Sequence, residues 1–179
     1  MSIVTHFYTG STESEVEKQM ADLRDIHSAY EFVEYLESVI KGKFTDDYFE
    51  YTLPNDMITS SASAPSWSAY LAAINVLGTP MLFSSVPASK FMILGSNGTK
   101  NSIEKHHIFP KHYLETIGVG NDRDRNVAEY RAKMGEENYL KTCTENALPP
   151  EFEKLDYFTF IEKRRKLMAK IIRKGYEKL

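Results

Sequence analysis

A chain of 179 residues with 42% hydrophobic and 12% aromatic side chains has enough apolar surface for one sizeable core, and no tract is biased enough to stay disordered. No run reaches the roughly 18 apolar residues of a membrane span, and the opening Met1-Ser2-Ile3-Val4-Thr5-His6 lacks a basic stretch followed by an apolar one. A cytoplasmic protein with no membrane partner is therefore expected, and the lone Cys143 excludes an internal disulfide framework or a multi-cysteine zinc site. The net charge of −3 is unevenly spread: residues 1–99 carry 5 Lys/Arg against 12 Asp/Glu, whereas residues 100–179 carry 17 against 13. The second half is thus the basic one, and phosphate backbones are bound by local Lys/Arg patches rather than by global charge.

In chain order, Thr12 with Glu15 forms a capping-box pattern, and Val16, Met20, Leu23 and Ile26 follow at helical spacing, predicting a helix over 12–27 whose apolar stripe faces a core. Ser28 with Glu31 repeats the pattern ahead of Phe32, Val33, Leu36, Val39 and Ile40, with Gly42 placed as a C-terminal cap, which predicts a second helix over 28–41. Residues 44–51 suit a short helix that Pro54 and Asn55 break. Pro65 fits a first helical turn, and Trp67, Leu71, Ile74 and Leu77 then lead to Gly78, predicting a helix over 66–77 with Trp67 in the core. The short apolar runs between 79 and 103 leave strand and buried helix open.

From Ile103 to Phe109 the pattern suits a strand ending at Pro110, and Lys111 to Ile117 suits one or two helical turns. A polar loop leads into Asn126-Val127-Ala128-Glu129-Tyr130, whose partial alternation suits a second strand, and a helix is expected from Glu136 onward. After the break at Pro149-Pro150, Phe158, Ile161, Leu167, Met168, Ile171, Ile172 and Tyr176 outline a long terminal helix with a basic opposite face. A charge run such as Lys163-Arg164-Arg165-Lys166 is more often a solvated face than a track for DNA. The expected organisation is one compact unit: a helical platform over 1–99, a motif-bearing segment over 100–148, and a C-terminal helix over 149–179 packed on the platform.

The residues with the most distinctive chemistry are His106 and His107. Phosphodiester hydrolysis needs a base to activate water and a cation, held by protein ligands, to neutralise charge on the phosphorus centre and departing oxygen. A neutral imidazole accepts a proton near physiological pH, while a second imidazole and an Asn carbonyl oxygen ligate a divalent ion. Adjacent residues in a regular strand point to opposite faces, so both histidines reach one phosphate only if the strand ends or twists, as Pro110 allows.

The run Ile103-Glu104-Lys105-His106-His107-Ile108-Phe109-Pro110-Lys111 resembles the signature of the HNH, or ββα-metal, nuclease domain in the C-terminal part of GmrSD-type modification-dependent restriction proteins. Tyr8-Thr9-Gly10-Ser11-Thr12-Glu13-Ser14 also resembles a segment between that family's two halves. The resemblance implies an α+β fold, mainly helical with a small embedded ββα motif. It implies His107 as general base, His106 and Asn138 as metal ligands, and Asn126 as the residue that orients the catalytic hairpin. Lys105, Lys111, His112, Arg123 and Arg125 are the accompanying candidates for nucleic-acid contact. The implied cofactor is a divalent ion, Mg2+ first, with Mn2+, Ni2+ or Zn2+ as alternatives. The implied partners are DNA and a ParB-like nucleotide-hydrolysing domain or subunit outside this chain. A catalytically silent DNA- or protein-binding module of the same fold is the rival reading.

Overall fold

The computed structural model describes residues 2–7, 11–58, 63–82, 84–92 and 131–179. Of these, 73% are helical and 2% are extended, with no sheet. The extended residues form an isolated antiparallel bridge between Pro80 and Pro87. The expected α+β fold with an embedded ββα motif is thus corrected to a helical fold. Residues 131–134, which follow the second expected strand, form a helical turn. Arg, Ala, Lys and Met are all strong helix formers and none is β-branched. Gly135, at φ +76°, ends the turn with its N–H donating to the Arg131 carbonyl at 3.1 Å. The strands expected within 103–109 and 126–130 lie outside the described residues, as does the boundary expected at 99/100.

The chain divides into two compact units, Met1–Leu71 and Ala72–Leu179. The first contains α1 (Ser2–Thr5), α2 (Thr12–Leu23), α3 (Ala29–Lys43), a π-helical turn (Tyr48–Thr52), α4 (Leu53–Asp56) and the beginning of α5 (Pro65–Leu77). Its buried residues include Phe7, Tyr48, Phe49, Leu53, Met57 and Tyr70. Phe44, Tyr48 and Phe49 stack on one another with ring centroids 5.3–5.6 Å apart. The Tyr48 hydroxyl donates to the Val4 carbonyl at 2.9 Å, tying α1 to this cluster, and burial pushes the phenol well above its ordinary range.

Three helix limits differ from the expectation. Helix α2 stops at Leu23, and its N-cap is Ser11, without a side-chain capping bond. In α3 the Ser28–Glu31 pattern does form: Ser28 Oγ accepts from Glu31 N at 3.2 Å, and the Glu31 carboxylate reaches back to His27 N at 2.8 Å. The helix then runs through Gly42 to Lys43, because the stop comes from Phe44, drawn into the aromatic cluster. Pro54 does not break the chain's helical course. A proline ring clashes with the carbonyl four residues earlier, and the wider turn at Tyr48–Thr52 relieves that contact with Glu50.

The stripe of α2 was expected to face a core. Instead neither α2 nor α3 has a buried residue, and Val16, Met20, Leu23, Phe32, Val33 and Leu36 are all exposed.

The second unit holds the rest of α5, the 79–88 turn, α6 (Ser89–Met92), the 131–134 turn, α7 (Glu136–Glu145), a 3-10 turn (Phe152–Lys154) and α8 (Tyr157–Glu177). Gly78, at φ +68°, ends α5 as expected, and Thr79 N donates back to the Ile74 carbonyl at 2.9 Å in the manner of a left-handed cap. Trp67, expected in the core, is only half-buried and stacks on Tyr70. The core of this unit joins Tyr139 and Cys143 of α7 to Leu148, Phe152 and Phe160, with Leu82, Leu155, Tyr157 and Ile161 packed against it. Helix α8 also buries Ala169, Ile171, Ile172 and Gly175. Gly175 is required by a close approach: a Cβ there would lie 2.7 Å from Ala73 Cβ and 2.8 Å from Ala73 Cα. Among the described residues no helix is long and apolar enough to cross a membrane.

Candidate functional site

Of the candidate residues, His106, His107, Asn126, Lys105, Lys111, His112, Arg123 and Arg125 lie outside the described residues. Asn138 is the candidate with a described position. It is the third residue of α7 and is exposed. Its Nδ2 donates to the Met134 carbonyl at 2.9 Å, which leaves Oδ1 as the atom a divalent cation can use. Among the described residues no group of three or more His, Cys, Asp or Glu side chains is arranged to hold a metal ion.

Asn138 stands on a built foundation. Gly135, at positive φ, is the N-cap of its helix, and Arg131, one turn before it, is held from three sides. The guanidinium donates to both oxygens of Glu136, through Nε at 2.7 Å and through a second nitrogen at 2.5 Å, in the fork geometry that arginine favours. It also lies 4.7 Å from the centre of the Tyr139 ring, and it comes within 4.0 Å of Glu153. The Tyr139 hydroxyl donates to the same Glu153 carboxylate at 2.9 Å, which closes the cluster.

The electrostatics follow from this packing. The hydrogen bond from Arg131 holds the Glu136 carboxyl below its usual value. Burial, then the bond to Glu153, raises the Tyr139 phenol far above its ordinary range. Burial pushes the Cys143 thiol up to about 11, so it is a neutral core group and not a nucleophile. The cluster fixes the chain at residue 131 and the first turn of α7, and so sets the direction in which Asn138 leaves the helix. Sequence reasoning missed Arg131: its partner lies five residues on, across a glycine in left-handed backbone, so no helical spacing rule pairs them.

The second chemically distinctive surface is α8. At about 100° per residue, Lys163, Lys166, Lys170 and Lys174 fall within roughly 80° of one another, on the side opposite the buried stripe. All four are exposed. Lys166 pairs with Glu162 at 2.7 Å and Arg173 with Glu177 at 2.7 Å, while Arg164 lies over the Phe160 ring at 5.8 Å. The sequence run of four basic residues therefore separates by role, with its arginines half-buried and its lysines outermost. No family model, curated protein or solved structure matches this chain.

Proposed function

We propose that this chain is a divalent-metal-dependent DNA endonuclease of the HNH type, from a restriction or phage-defence system. The observation that carries the reading is the run Glu104-Lys105-His106-His107-Ile108-Phe109-Pro110 taken with Asn138, an exposed amide whose nitrogen is committed to Met134. His107 is the general base: its imidazole takes the proton from the attacking water as the phosphorus–oxygen bond to the leaving group breaks. His106 and Asn138 would hold the ion, which supplies neutralisation of charge on the phosphate and on the departing oxygen. One imidazole nitrogen and one amide oxygen fit such an ion, since they suit Mg2+ and Mn2+ through oxygen and Ni2+ or Zn2+ through nitrogen. Asn126 orients the segment that carries the histidines, and Lys105, Lys111, His112, Arg123 and Arg125 hold neighbouring phosphates. A ParB-like nucleotide-hydrolysing domain or subunit, outside this chain, licenses cutting.

The test is plasmid nicking with Mg2+, Mn2+, Ni2+ and Zn2+ in parallel, by the parent and by His107→Ala. Nicking that needs a divalent ion and disappears in His107→Ala, with the circular-dichroism spectrum and duplex affinity unchanged, is the expected result. Nicking by His107→Ala at the parent rate, or equally in EDTA, would sink the assignment.

A further inference from the structure

The basic run on α8 has no role in the hydrolytic proposal, yet its outward charges are placed in order. The two units of the chain carry opposite charge: residues 1–71 hold 4 Lys/Arg against 12 Asp/Glu, and residues 72–179 hold 18 against 13. Helix α8 alone holds seven Lys/Arg against two Asp/Glu. Lys163, Lys166, Lys170 and Lys174 run along about 16 Å of one helix face at a rise of about 1.5 Å per residue. That length matches the rise of about five base pairs at about 3.4 Å each.

We infer that the lysine face of α8 docks the sugar-phosphate backbone of duplex DNA, in a sequence-independent manner. The inference extends the endonuclease reading and rests on it for the choice of a nucleic acid among polyanions. Three features favour that occupant. The apolar stripe of α8 is already consumed by Phe160, Ala169, Ile171, Ile172 and Gly175, and Phe158, exposed at its first turn, is not a continuous apolar face of the kind an interfacial helix lays into a bilayer. Lysine is a compact point charge on a flexible stem, suited to phosphate positioning and not to bidentate reading of bases. Two of the three arginines, Arg164 and Arg173, which would read bases or carboxylates, are turned to Phe160 and Glu177. Local charge decides the encounter because exposed charges farther away than about 10 Å are screened at 0.1 M salt. Net charge summed over the whole chain is therefore no measure of the stripe's attraction for phosphate.

The experiment measures binding without cutting. A fluorescent random-sequence duplex is titrated in EDTA across a salt series, with the parent, Lys163→Gln/Lys170→Gln/Lys174→Gln, and the charge-matched control Lys18→Gln/Lys41→Gln/Lys154→Gln. Each phosphate contact contributes about 0.9 to the slope of log K against log salt. The stripe variant should therefore flatten the slope by about 2.7 and bind at least roughly tenfold more weakly near 0.1 M salt, while the control keeps the parent slope. Glutamine preserves helix propensity, and an unchanged far-UV spectrum confirms the fold. An unchanged slope in the stripe variant overturns the inference. So does equal flattening in the control, which would assign the effect to net charge. Stripe-dependent capture of phosphatidylserine vesicles with no duplex binding overturns it too. The outcome separates from the hydrolytic proposal: slope loss without any parental nicking leaves the docking face standing, and nicking with an unchanged slope removes this face alone.

Discussion

The pair α2–α3 and the pair α7–α8 have the same kind of amphipathic repeat and end in opposite environments. Val16, Met20 and Leu23 recur along α2 just as Phe160, Leu167 and Ile171 recur along α8, yet α2 and α3 bury nothing whereas α8 buries five residues. Met20 is 58% exposed and Val33 52%, against 2% for Phe160. The difference teaches that periodicity makes a helix but does not place it against a core. Tyr139 and Cys143 acquire their surroundings from Leu148, Phe152 and Phe160, which the Pro149-Pro150 break folds back onto α7. No residue of α2 or α3 is buried by such a return; a polar cross-link joins them, from the Tyr35 hydroxyl to Asp22 Oδ2 at 3.4 Å.

The largest expected effect lies in the packed pair. Phe160→Ala removes a ring that lies 6.3 Å from Phe152 in a cluster with almost no solvent exposure. A cost of roughly 3–5 kcal/mol is expected, the usual range for losing a fully packed aromatic ring. Urea denaturation followed by tyrosine fluorescence and far-UV dichroism checks it. A loss under about 1 kcal/mol would mean that the cluster is not close-packed, and the contrast between the pairs would fall.

Much of the helical course was legible because its signals are local. Ser28 and Glu31 announce α3 by hydrogen bonds within residues 27–31, and Pro65 and Gly78 bracket α5, whereas the cap of α8, Asp156 accepting from Thr159 N at 3.0 Å, was not read from the sequence. What failed depends on distant partners. The stop of α3 moved from Gly42 to Phe44 because an aromatic cluster claimed the ring, and the wide turn before Pro54 keeps the chain helical where the sequence suggested a break. Residues 131–134 form a hydrogen-bonded turn closed by Gly135, while the strands expected at 103–109 and 126–130 lie outside the described residues. Of the candidate site, the sequence identified residue types and spacing. The commitment of Asn138 Nδ2 to Met134, and the Arg131 cluster beneath it, depend on a left-handed glycine that no side-chain pattern announces.

A second test sharpens the contrast through pH. Cys143 is buried beside Tyr139, and its thiol is raised from 9.0 to about 11, chiefly by burial. The folded state therefore keeps a proton that the unfolded chain loses above pH 9. The stabilisation is fully present below pH 9 and is lost as pH climbs toward 11. Two units correspond to about 2–3 kcal/mol at about 1.36 kcal/mol per unit. Tyr139, raised by burial and by its bond to Glu153, adds to the loss in the same direction. Urea midpoints at pH 8 and pH 10.5 should fall for the parent and fall less for Cys143→Ala. Equal alkaline sensitivity in the two proteins would mean that the thiol is not held neutral by the fold.

The smallest expected effect is the one that probes the exposed pair. Val33→Ser on α3 removes two methyl groups that are about half in water already, from a helix whose cap and C-terminus lie elsewhere. Burial contributes about 25 cal/mol per Å² of apolar surface removed from water, so a side chain left exposed contributes little, and serine and valine have similar helix propensities. The change in unfolding free energy should fall within about 0.5 kcal/mol, as for other surface substitutions away from caps and cores. The measurement is the urea midpoint at several protein concentrations, because a surface covered by a second molecule loses stability on dilution whereas a surface facing water does not. A loss above about 1 kcal/mol that is independent of concentration would show that Val33 is buried within the chain, and the opposition between the two helix pairs would then be withdrawn.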